Sequence, residues 1–357
     1  MKIKNLCSYA PKSRIKAGEA VENAKYLFFT SSADENKRYT DFQFDKEAII
    51  MGTGGNATLH YYNGKFSVST DCLVLFPNSK IKCKYLYYFF KSHMSVLEAG
   101  FKGAGLKHTN KKYIEEINVS KVPDLSIQEK IVSHLDTITE NIEKLNRELE
   151  LFDSLTKARF VEMFGTLDDP ADEFEKATLK KLCNKITDGK HGGCTSEEGT
   201  QRYFVGAREI YDDEVHYDTA PEINVEKFEK DYKRCNIEIG DFLIVNTGAT
   251  IGKSAIAYDE RTEHTLLQKS VALLKIKKDK LNPVFLKWCY RVNTRMYMVQ
   301  SASAQPNLLL SKINGTVIYV PSIERQNQFA DFVQQVDKSR FDIKKSIIEL
   351  EREVVYD

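Results

Sequence analysis

The chain has 357 residues, of which 42% are hydrophobic and 29% charged, and its formal net charge is +1. That length is enough for two or three domains that each bury a core. Seven scattered cysteines without a Cys-x-x-Cys pair are typical of a reducing cytoplasm and not of a disulfide scaffold. The sequence has no signal peptide, and no apolar run approaches the roughly 18 residues of a membrane span. We therefore expect a cytoplasmic protein without a membrane partner.

The first 122 residues are strongly basic, with 19 Lys and Arg against 11 Asp and Glu. Two glycine-rich loops stand out in them, "MGTGGNATLHYYNGK" (51–65) and "EAGFKGAGLKHTNKKY" (98–113). Hydroxyls, amides, Lys and His on such loops can contact phosphates and base edges, and Gly lets the backbone come close. The candidate contact residues are Asn56, Thr58, His60, Lys65, Lys102, Lys107, His108, Asn110, Lys111 and Lys112.

Residues 123–165 have the pattern of one long helix, without Gly or Pro between Pro123 and Gly165. Apolar residues from Ile127 to Phe152 are spaced 4-4-3-4-3-4-3, which is the narrow stripe of paired helices. The predicted core positions are Ile131, Leu135, Ile138, Ile142, Leu145 and Leu149.

The segment "FLIVNTGATIGKSAIAYD" (242–259) in residues 166–320 looks at first like a nucleotide-binding loop. A phosphate loop needs four residues between its glycines, and Gly248 and Gly252 are separated by only three. The flanking runs read as two strands, so we predict a hairpin with a Gly-containing turn. "CNKITDGKHGGC" (183–194) could bring two cysteines and His191 to one metal, but a fourth ligand is missing. We predict no metal site.

Basic and amide residues recur in the loops of 166–320, including "SASAQPNLLLSK" (301–312), although this part carries no net positive charge. The candidate contact residues are Lys190, His191, Arg202, Arg208, Asn246, Thr250, Lys253, Ser254, Arg295, Gln305 and Asn307.

Residues 321–357 repeat the pattern of the first long helix. The predicted core positions are Val333, Val336, Ile343, Ile347 and Leu350, with Arg340 at a skipped core position. Because each stripe is longer than a small domain could cover, we expect the two helices to pair with each other. The alternative is two separate amphipathic helices, each packed on its own domain.

The two halves of the chain repeat one plan. Val122, Pro123 and Gln128 match Val320, Pro321 and Gln326 in an alignment of 121–138 with 319–336 that needs no gap. Upstream, "YLYYFFKS" (85–92) precedes its counterpart "FLKWCYRV" (285–292) by about 200 residues. "SVSTDCLVLFP" (67–77) likewise resembles "LLQKSVALLKI" (266–276). We predict an α+β fold with two α/β domains and two long helices that form a coiled coil.

Signs of catalysis in the chain itself are weak. The segments "NPVF" (282–285) and "DDPA" (168–171) lack the second Pro of a base-methylating loop, and "PDLSIQEK" (123–130) opens a helix and offers no strand for metal ligands. No Ser-His-Asp or Cys-His set follows from spacing, so we predict a protein that is not an enzyme and carries no cofactor.

The chain resembles the DNA specificity subunit of type I restriction–modification systems over nearly its whole length. The resemblance is carried by "GDFLIVNTGATIGKSAIA" (240–257), "VPDLSIQEKIVSHLD" (122–136), "VPSIERQNQFADFV" (320–333) and "FFTSSA" (28–33). It implies target recognition domains at 1–122 and 166–320, and conserved helices at 123–165 and 321–357 that pair antiparallel as a spacer. It also implies double-stranded DNA with a bipartite target as ligand. The partners would be two methyltransferase subunits using S-adenosylmethionine and restriction subunits using ATP and Mg²⁺.

Two alternatives stay open. The chain could be the recognition part of a self-contained DNA-modifying enzyme, in which case one chain would be active alone. It could also be a coiled-coil adaptor for proteins without DNA binding, against which the basic first domain argues.

Overall fold

The computed structural model describes residues 1–297 and 307–356. The chain divides into two compact units: unit 1 comprises Met1–Glu148 with Ile343–Asp357, and unit 2 comprises Leu149–Asp342. Both boundaries fall inside the long helices, so each unit contains one globular part and a piece of both helices. The finer division into four segments at 122, 165 and 320 remains a prediction.

Unit 1 is built on one mixed sheet. Its strands are β1 Cys7–Tyr9, β2 Tyr26–Phe29, β3 Arg38–Tyr39, β4 Phe44–Gly52, β5 Leu59–Val68 and β6 Cys72–Pro77. Its short helices are α1 Cys83–Ser92, α2 Met94–Glu98 and α3 Lys111–Glu116. The strand order is β1-β6-β4-β5-β2-β3, and within this described sheet the β2–β5 pair is parallel and the other pairs are antiparallel.

The central strand β4 alternates between two apolar clusters, as a strand buried on both faces must. Ile49 and Met51 lie in the cluster with α1 residues such as Leu86, whereas Ala48 and Ile50 lie in the cluster with Phe66 on the other face. The strand stays buried through its last residue, Gly52, so the loop after β4 begins at the core.

Unit 2 also has a central strand that is buried on both faces, in a smaller sheet. Its strands are β7 Glu175–Thr178, β8 Cys183–Asp188, β9 Tyr203–Val205, β10 Ile210–Tyr211, β11 Glu214–Val215, β12 Phe242–Val245, β13 Ser254–Ile256, β14 Thr265–Leu267, β15 Val271–Ile276 and β16 Val317–Val320. Its short helices are α5 Leu179–Leu182, α6 Val225–Tyr232, α7 Pro283–Val292 and α8 Leu310–Gly315. The described strands include an antiparallel sheet β13-β12-β15-β8 and the pairs β9·β14, β7·β16 and β10·β11.

Strand β12 alternates as β4 does. Phe242 and Ile244 pack in the cluster with α7, and Leu243 and Val245 pack in a second cluster. β12 and β13 pair antiparallel, with Ile244 opposite Ser254, so the predicted hairpin is confirmed.

The long helices are α4 Leu125–Phe164 and α9 Ile323–Tyr356. In unit 1 the first half of α4 meets the end of α9, where buried Leu135, Ile138 and Val354 form one cluster with Tyr88 of α1. In unit 2 the end of α4 meets the start of α9, where the Phe160 and Phe329 rings lie 5.3 Å apart. Within unit 2, Arg325 donates to the Met163 carbonyl and Arg340 donates to Asp153, so residue numbers rise along α9 as they fall along α4 and the two helices run antiparallel there.

The predicted core positions of the two helices are all at least half covered. Leu135, Ile138, Val333, Val336 and Ile347 are buried, and Ile131, Ile142, Leu145, Leu149, Ile343 and Leu350 are half-buried. Arg340, at the skipped position, donates to the Asp153 carboxylate at 2.6 Å within unit 2. An ion pair thus occupies the place where the apolar stripe is interrupted.

A buried glutamine joins each long helix to its globular part by the same bonds. The Gln128 carbonyl accepts the Lys82 N–H at 2.8 Å, and its amide donates to the Lys80 and Pro123 carbonyls at 3.2 and 2.7 Å. Gln326 accepts the Asn282 N–H at 2.9 Å and donates to the Lys280 and Pro321 carbonyls at 3.1 and 2.8 Å. Both side chains are fully buried. The repeat seen in the sequence is therefore also a repeat of individual hydrogen bonds.

None of the helices formed by residues 1–297 and 307–356 is both long and apolar enough to span a bilayer.

Candidate nucleic-acid interface

In unit 1 the two predicted loops are fastened to each other. Gly54 forms a β-bridge with His108. The Gly55 N–H donates to the Lys107 carbonyl at 2.9 Å, and the Thr109 N–H donates to the Thr53 carbonyl at 3.0 Å. We call this contact, residues 53–55 with 107–109, joint 1. It places a glycine turn and a basic segment at one spot on the surface.

Joint 1 and the residues next to it carry positive charge that is not neutralised. Lys102, Lys107, His108 and Lys112 are exposed and form no ion pair with any described residue. Lys111 is shared, since its Nζ lies 3.6 Å from Glu115 and 4.5 Å from the centre of the Tyr9 ring. Exposed cations on a fastened loop suit phosphate binding, because phosphates are recognised mainly by charge.

In unit 2 the corresponding loops meet in the same way. Thr247 forms a β-bridge with Asn307, and the Leu308 N–H donates to the Asn246 carbonyl at 2.7 Å. The Thr247 hydroxyl also donates to the Asn307 side-chain oxygen at 3.3 Å. We call this contact, residues 246–247 with 307–308, joint 2. It lies directly after β12, as joint 1 lies directly after β4.

The hairpin beyond joint 2 needs its glycines. Gly248 and Gly252 have φ of +102° and +92°, values that glycine adopts without strain. A Cβ at Gly252 would lie 2.2 Å from the Tyr297 ring. The turn therefore serves to pack two strands closely against Tyr297.

Residues 1–151 and 171–352 match the sequence model of the type I restriction modification DNA specificity domain. The chain belongs to this family.

Named relatives of the specificity family cover different shares of the chain. The EcoDI specificity subunit of Escherichia coli is 26% identical over 144 residues, which is 40% of this chain and 32% of that protein. The MjaVIII specificity subunit of Methanocaldococcus jannaschii is 22% identical over 317 residues, 82% of this chain and 72% of that protein. The chain thus matches about a third of the first relative's length and most of the second's.

A solved structure of the specificity family shares the fold. The crystal structure of a type I restriction–modification S subunit from M. genitalium superposes with a TM-score of 0.61 at 17% identity, covering 99% of this chain and 93% of that one.

Several residues predicted to contact DNA in this specificity-family chain are buried. His60 is 4% exposed, and its Nδ1 lies 2.8 Å from the Glu35 carboxylate. Ser254 is buried inside the β12–β13 ladder, and Asn246 is buried with its backbone in joint 2. Sequence position beside a loop did not reveal that these side chains point inward. We do not retain His60 and Ser254 as DNA contacts.

Other predicted residues hold the loops. The Thr58 hydroxyl accepts the Gly52 N–H at 3.1 Å, and the Asn110 side chain caps α3 by accepting the Tyr113 N–H at 3.0 Å. Asn56 is exposed in the loop of joint 1, and Thr250 is half-buried in the β12–β13 turn. Gln305 lies outside the described residues.

Three of the six predicted basic residues of unit 2 are already paired with a carboxylate, unlike most of those near joint 1. Lys190 donates to Asp231, which raises the pKa of Lys190, and Arg295 donates to Asp168. His191 lies 3.1 Å from Asp188. Arg202 is half-buried over the Phe228 ring. In unit 1, Lys65 lies 3.8 Å from Asp45. Arg208 and Lys253 are exposed and form no ion pair with a described residue.

Asp188 bonds to Arg234 and to the His191 ring. Burial raises the pKa of its carboxyl, but the hydrogen bonds from Arg234 and His191 outweigh burial and leave the pKa below its usual range. The carboxyl is therefore an anion that organises its neighbours.

Sequence reasoning missed Thr247 and Lys269. Lys269 is exposed between β14 and β15 and forms no ion pair within the described part of the chain. The segment "LLQKSVALLKI" is part of the sequence repeat, and the Lys at its turn is the signal that could have indicated Lys269 as a candidate contact. Among the described residues, no group of three or more His, Cys, Asp or Glu side chains is placed to hold a metal ion.

Proposed function

We propose that the protein is the DNA-binding specificity subunit of a type I restriction–modification complex. In this proposal residues 1–122 read one half of a bipartite target in double-stranded DNA, and residues 166–320 read the other. The subunit has no catalytic site. Two methyltransferase subunits methylate DNA with S-adenosylmethionine, restriction subunits cleave it with ATP and Mg²⁺, and the complex acts in the cytoplasm.

The observation that carries this proposal is that the same loop contact occurs twice. Joint 1 and joint 2 each fasten a glycine-containing loop after a central strand to a polar loop before a short helix. A protein that reads two half-sites needs two such surfaces. A single enzyme active site would not call for this duplication.

The phosphate contacts are assigned to exposed cations. In unit 1 these are Lys102, Lys107, Lys111 and Lys112, and in unit 2 Arg208 and Lys253. Asn56, His108, Thr250 and Asn307 are assigned to sugars and base edges, because amides, imidazole and hydroxyls can both donate and accept.

The long helices are assigned to a spacer. Residues 123–165 and 321–357 form an antiparallel coiled coil that fixes the distance between the two half-sites. The antiparallel order of the α4 and α9 contacts in unit 2 supports this assignment.

The first experiment is to reconstitute the chain with its modification subunits in a host and sequence the host's methylated DNA. We expect methylated adenines in one bipartite motif with a fixed spacer. Methylation in a continuous motif, or activity of this chain by itself, would overturn the proposal.

The second experiment inserts one heptad into "NIEKLNR" (141–147). The insertion should change the spacer length and leave both half-sites unchanged, because the globular parts are untouched. An altered half-site would contradict the role of the helices as a spacer. An insertion between Glu22 and Asn23, which are exposed and lie outside both long helices, is the matched control and should leave the spacer unchanged.

A further inference from the structure

A short segment of unit 1 carries three cations that none of the contacts assigned above uses. Lys12, Arg14 and Lys16 are exposed, whereas Ser13 is buried and Ile15 is half-buried. This alternation is typical of an extended chain with one face on the protein. None of the three cations forms an ion pair with any described residue. We call residues 12–16 the basic segment, and its cations lie on its outer face at alternate positions, about 6.6 Å apart along the backbone.

The basic segment is held in place by hydrogen bonds on both sides. The Ser13 hydroxyl accepts the Ile15 N–H at 3.1 Å and the side-chain amide of Gln43 at 3.0 Å. The side-chain oxygen of Gln43 accepts the Val68 N–H at 2.9 Å. The Ile15 carbonyl accepts the Thr70 N–H at 2.8 Å. Because this backbone is already ordered, less conformational freedom is lost when its cations bind a ligand.

The turn that contains Thr70 also connects the basic segment to joint 1. The Asp71 carbonyl accepts the Thr53 N–H at 2.8 Å and the Thr53 hydroxyl at 3.0 Å, and Thr53 is part of joint 1. Hydrogen-bonded backbones therefore lead from Thr109 through Thr53 and the turn to Ile15. Three such steps of about 4.8 Å span roughly 15 Å. That distance corresponds to about four or five base pairs of a duplex.

Unit 2 has the corresponding backbone contact, but there the cation is already paired. Lys269, which aligns with Thr70 in the sequence repeat, donates its N–H to the Lys190 carbonyl at 2.9 Å. Lys190 thus has the place that Ile15 has in unit 1, and its ammonium donates to Asp231. The contact is therefore part of the repeated scaffold, while the unpaired cations of the basic segment are a property of unit 1.

Two carboxylates lie close to the basic segment. The Glu19 carboxylate accepts the Lys16 backbone N–H at 2.7 Å, and the Asp71 side chain is exposed on the turn that joins the segment to joint 1. A phosphate chain bound here would be attracted by the cations and repelled by Asp71. The carboxylate of Asp71 therefore allows a test of opposite sign.

We infer that the basic segment is a second phosphate-binding strip of unit 1, where Lys12, Arg14 and Lys16 bind the DNA backbone beside the half-site. A row of cations at alternate positions fits a chain of phosphates, because each cation can neutralise one of them. Phosphate contacts fix the register of a protein on the duplex, so the strip positions joint 1 over its bases. The inference rests on the proposed function and adds a backbone contact to it.

The first test removes the charge of the strip in the reconstituted complex. The triple variant Lys12→Gln, Arg14→Gln, Lys16→Gln should flatten the dependence of log affinity on log salt by about three units. It should weaken binding to every sequence and leave the methylated motif unchanged. Each single substitution should flatten the slope by about one unit, which keeps the test valid if the triple variant folds poorly.

A matched control removes the same charge from exposed positions outside the basic segment and joint 1. It replaces three lysines by glutamine and should leave the slope unchanged: Lys121, Lys130 and Lys144. Asp71→Asn removes the opposing carboxylate and should strengthen binding to every sequence about twofold, as expected for one charge about 10 Å from a phosphate in water.

A probe on the DNA locates the contact. Single methylphosphonate linkages, which carry no charge, are placed one at a time through the unit 1 half-site and its outer flank. Up to three of them should weaken binding of the wild-type complex and hardly affect the triple variant. The same linkages in the unit 2 half-site should weaken both complexes equally, because unit 2 is unchanged.

The outcomes separate this inference from the proposed function. A triple variant that keeps the wild-type salt slope would overturn the inference alone. So would a folded triple variant that no longer assembles with the modification subunits, since the ligand of the strip would then be an acidic protein surface. A wild-type complex that methylates no bipartite motif would overturn the proposed function.

Discussion

Joint 1 and joint 2 have the same backbone contacts and different side chains. In joint 1 the fastened segment carries Lys107 and His108, and the Thr53 hydroxyl donates to the Asp71 carbonyl at 3.0 Å. In joint 2 the segment carries Asn307, and the equivalent Thr247 hydroxyl lies 3.3 Å from the Asn307 side-chain oxygen and 3.4 Å from that of Asn246. The scaffold is therefore duplicated, while the chemistry at its surface differs. We expect unit 1 to bind mainly through charge and unit 2 to bind with more weight on hydrogen bonds to bases.

The largest effect should come from the scaffold that both units share. Gln128→Leu and Gln326→Leu each remove three hydrogen bonds made by a fully buried side chain and leave mostly part-buried backbone groups without these partners. Each should lower the free energy of unfolding by about 3 kcal/mol, measured by urea unfolding. Gln328→Leu, an exposed position on α9, is the control and should change stability by less than about 0.5 kcal/mol. If the two variants lose very different amounts of unfolding free energy, the Gln128 and Gln326 contacts are not equivalent.

The next largest effect should be on the salt dependence of DNA binding, which should differ between the two units because their exposed charges differ. Lys102→Gln with Lys107→Gln should flatten the dependence of log affinity on log salt by about two units and weaken binding to every sequence. Lys253→Gln in unit 2 should flatten it by about one. Titrations of labelled DNA at several salt concentrations measure these slopes. Lys144→Gln, on the exposed face of α4, serves as control, and an unchanged slope in the double variant would remove joint 1 from the interface.

Replacing a turn glycine by Ala should cost the same stability in both units where no atom lies close to the added Cβ. Gly55 and Gly248 both have positive φ and no atom within 4 Å of an added Cβ. Ala at either position should cost about 1–2 kcal/mol through backbone strain alone. Gly252→Ala should cost more, because its Cβ would also meet the Tyr297 ring. Thermal unfolding can rank the three variants, and an equal cost at all three would contradict the role of Tyr297.

The smallest effect should come from the ion pair between the helices. Arg340 and Asp153 are partly exposed, with 26% and 45% of the side-chain surface accessible. Arg340→Leu should therefore change the stability of unit 2 by less than about 1 kcal/mol in either direction. Phe329→Ala, in the apolar contact of the same helices, should cost about 3–5 kcal/mol and is the comparison to make.

The sequence predicts the repeated parts of the fold better than the rest. The long helices follow from apolar spacing and from the lack of Gly and Pro, and the hairpin at 242–256 follows from two short apolar runs around glycines. The parallel pairing of β2 with β5 does not follow from local pattern, because the partner strand lies about 40 residues further along. Burial of His60 and Ser254 depends on which way each side chain points from its strand. That direction is fixed by register with neighbouring strands, which a single sequence does not show.

The buried glutamines have a consequence for how such a chain can vary. Gln128 and Gln326 bind only main-chain atoms, and at one of the three bonded positions the residue differs, with Lys82 in one half and Asn282 in the other. Because these hydrogen bonds do not involve the partner side chains, the glutamine can bind any globular part whose backbone has the same position. When whole globular parts are exchanged between chains, the chimeras should therefore be joined at points that keep three elements in place. These are the glutamine, the proline before it, and the start of α1 or α7.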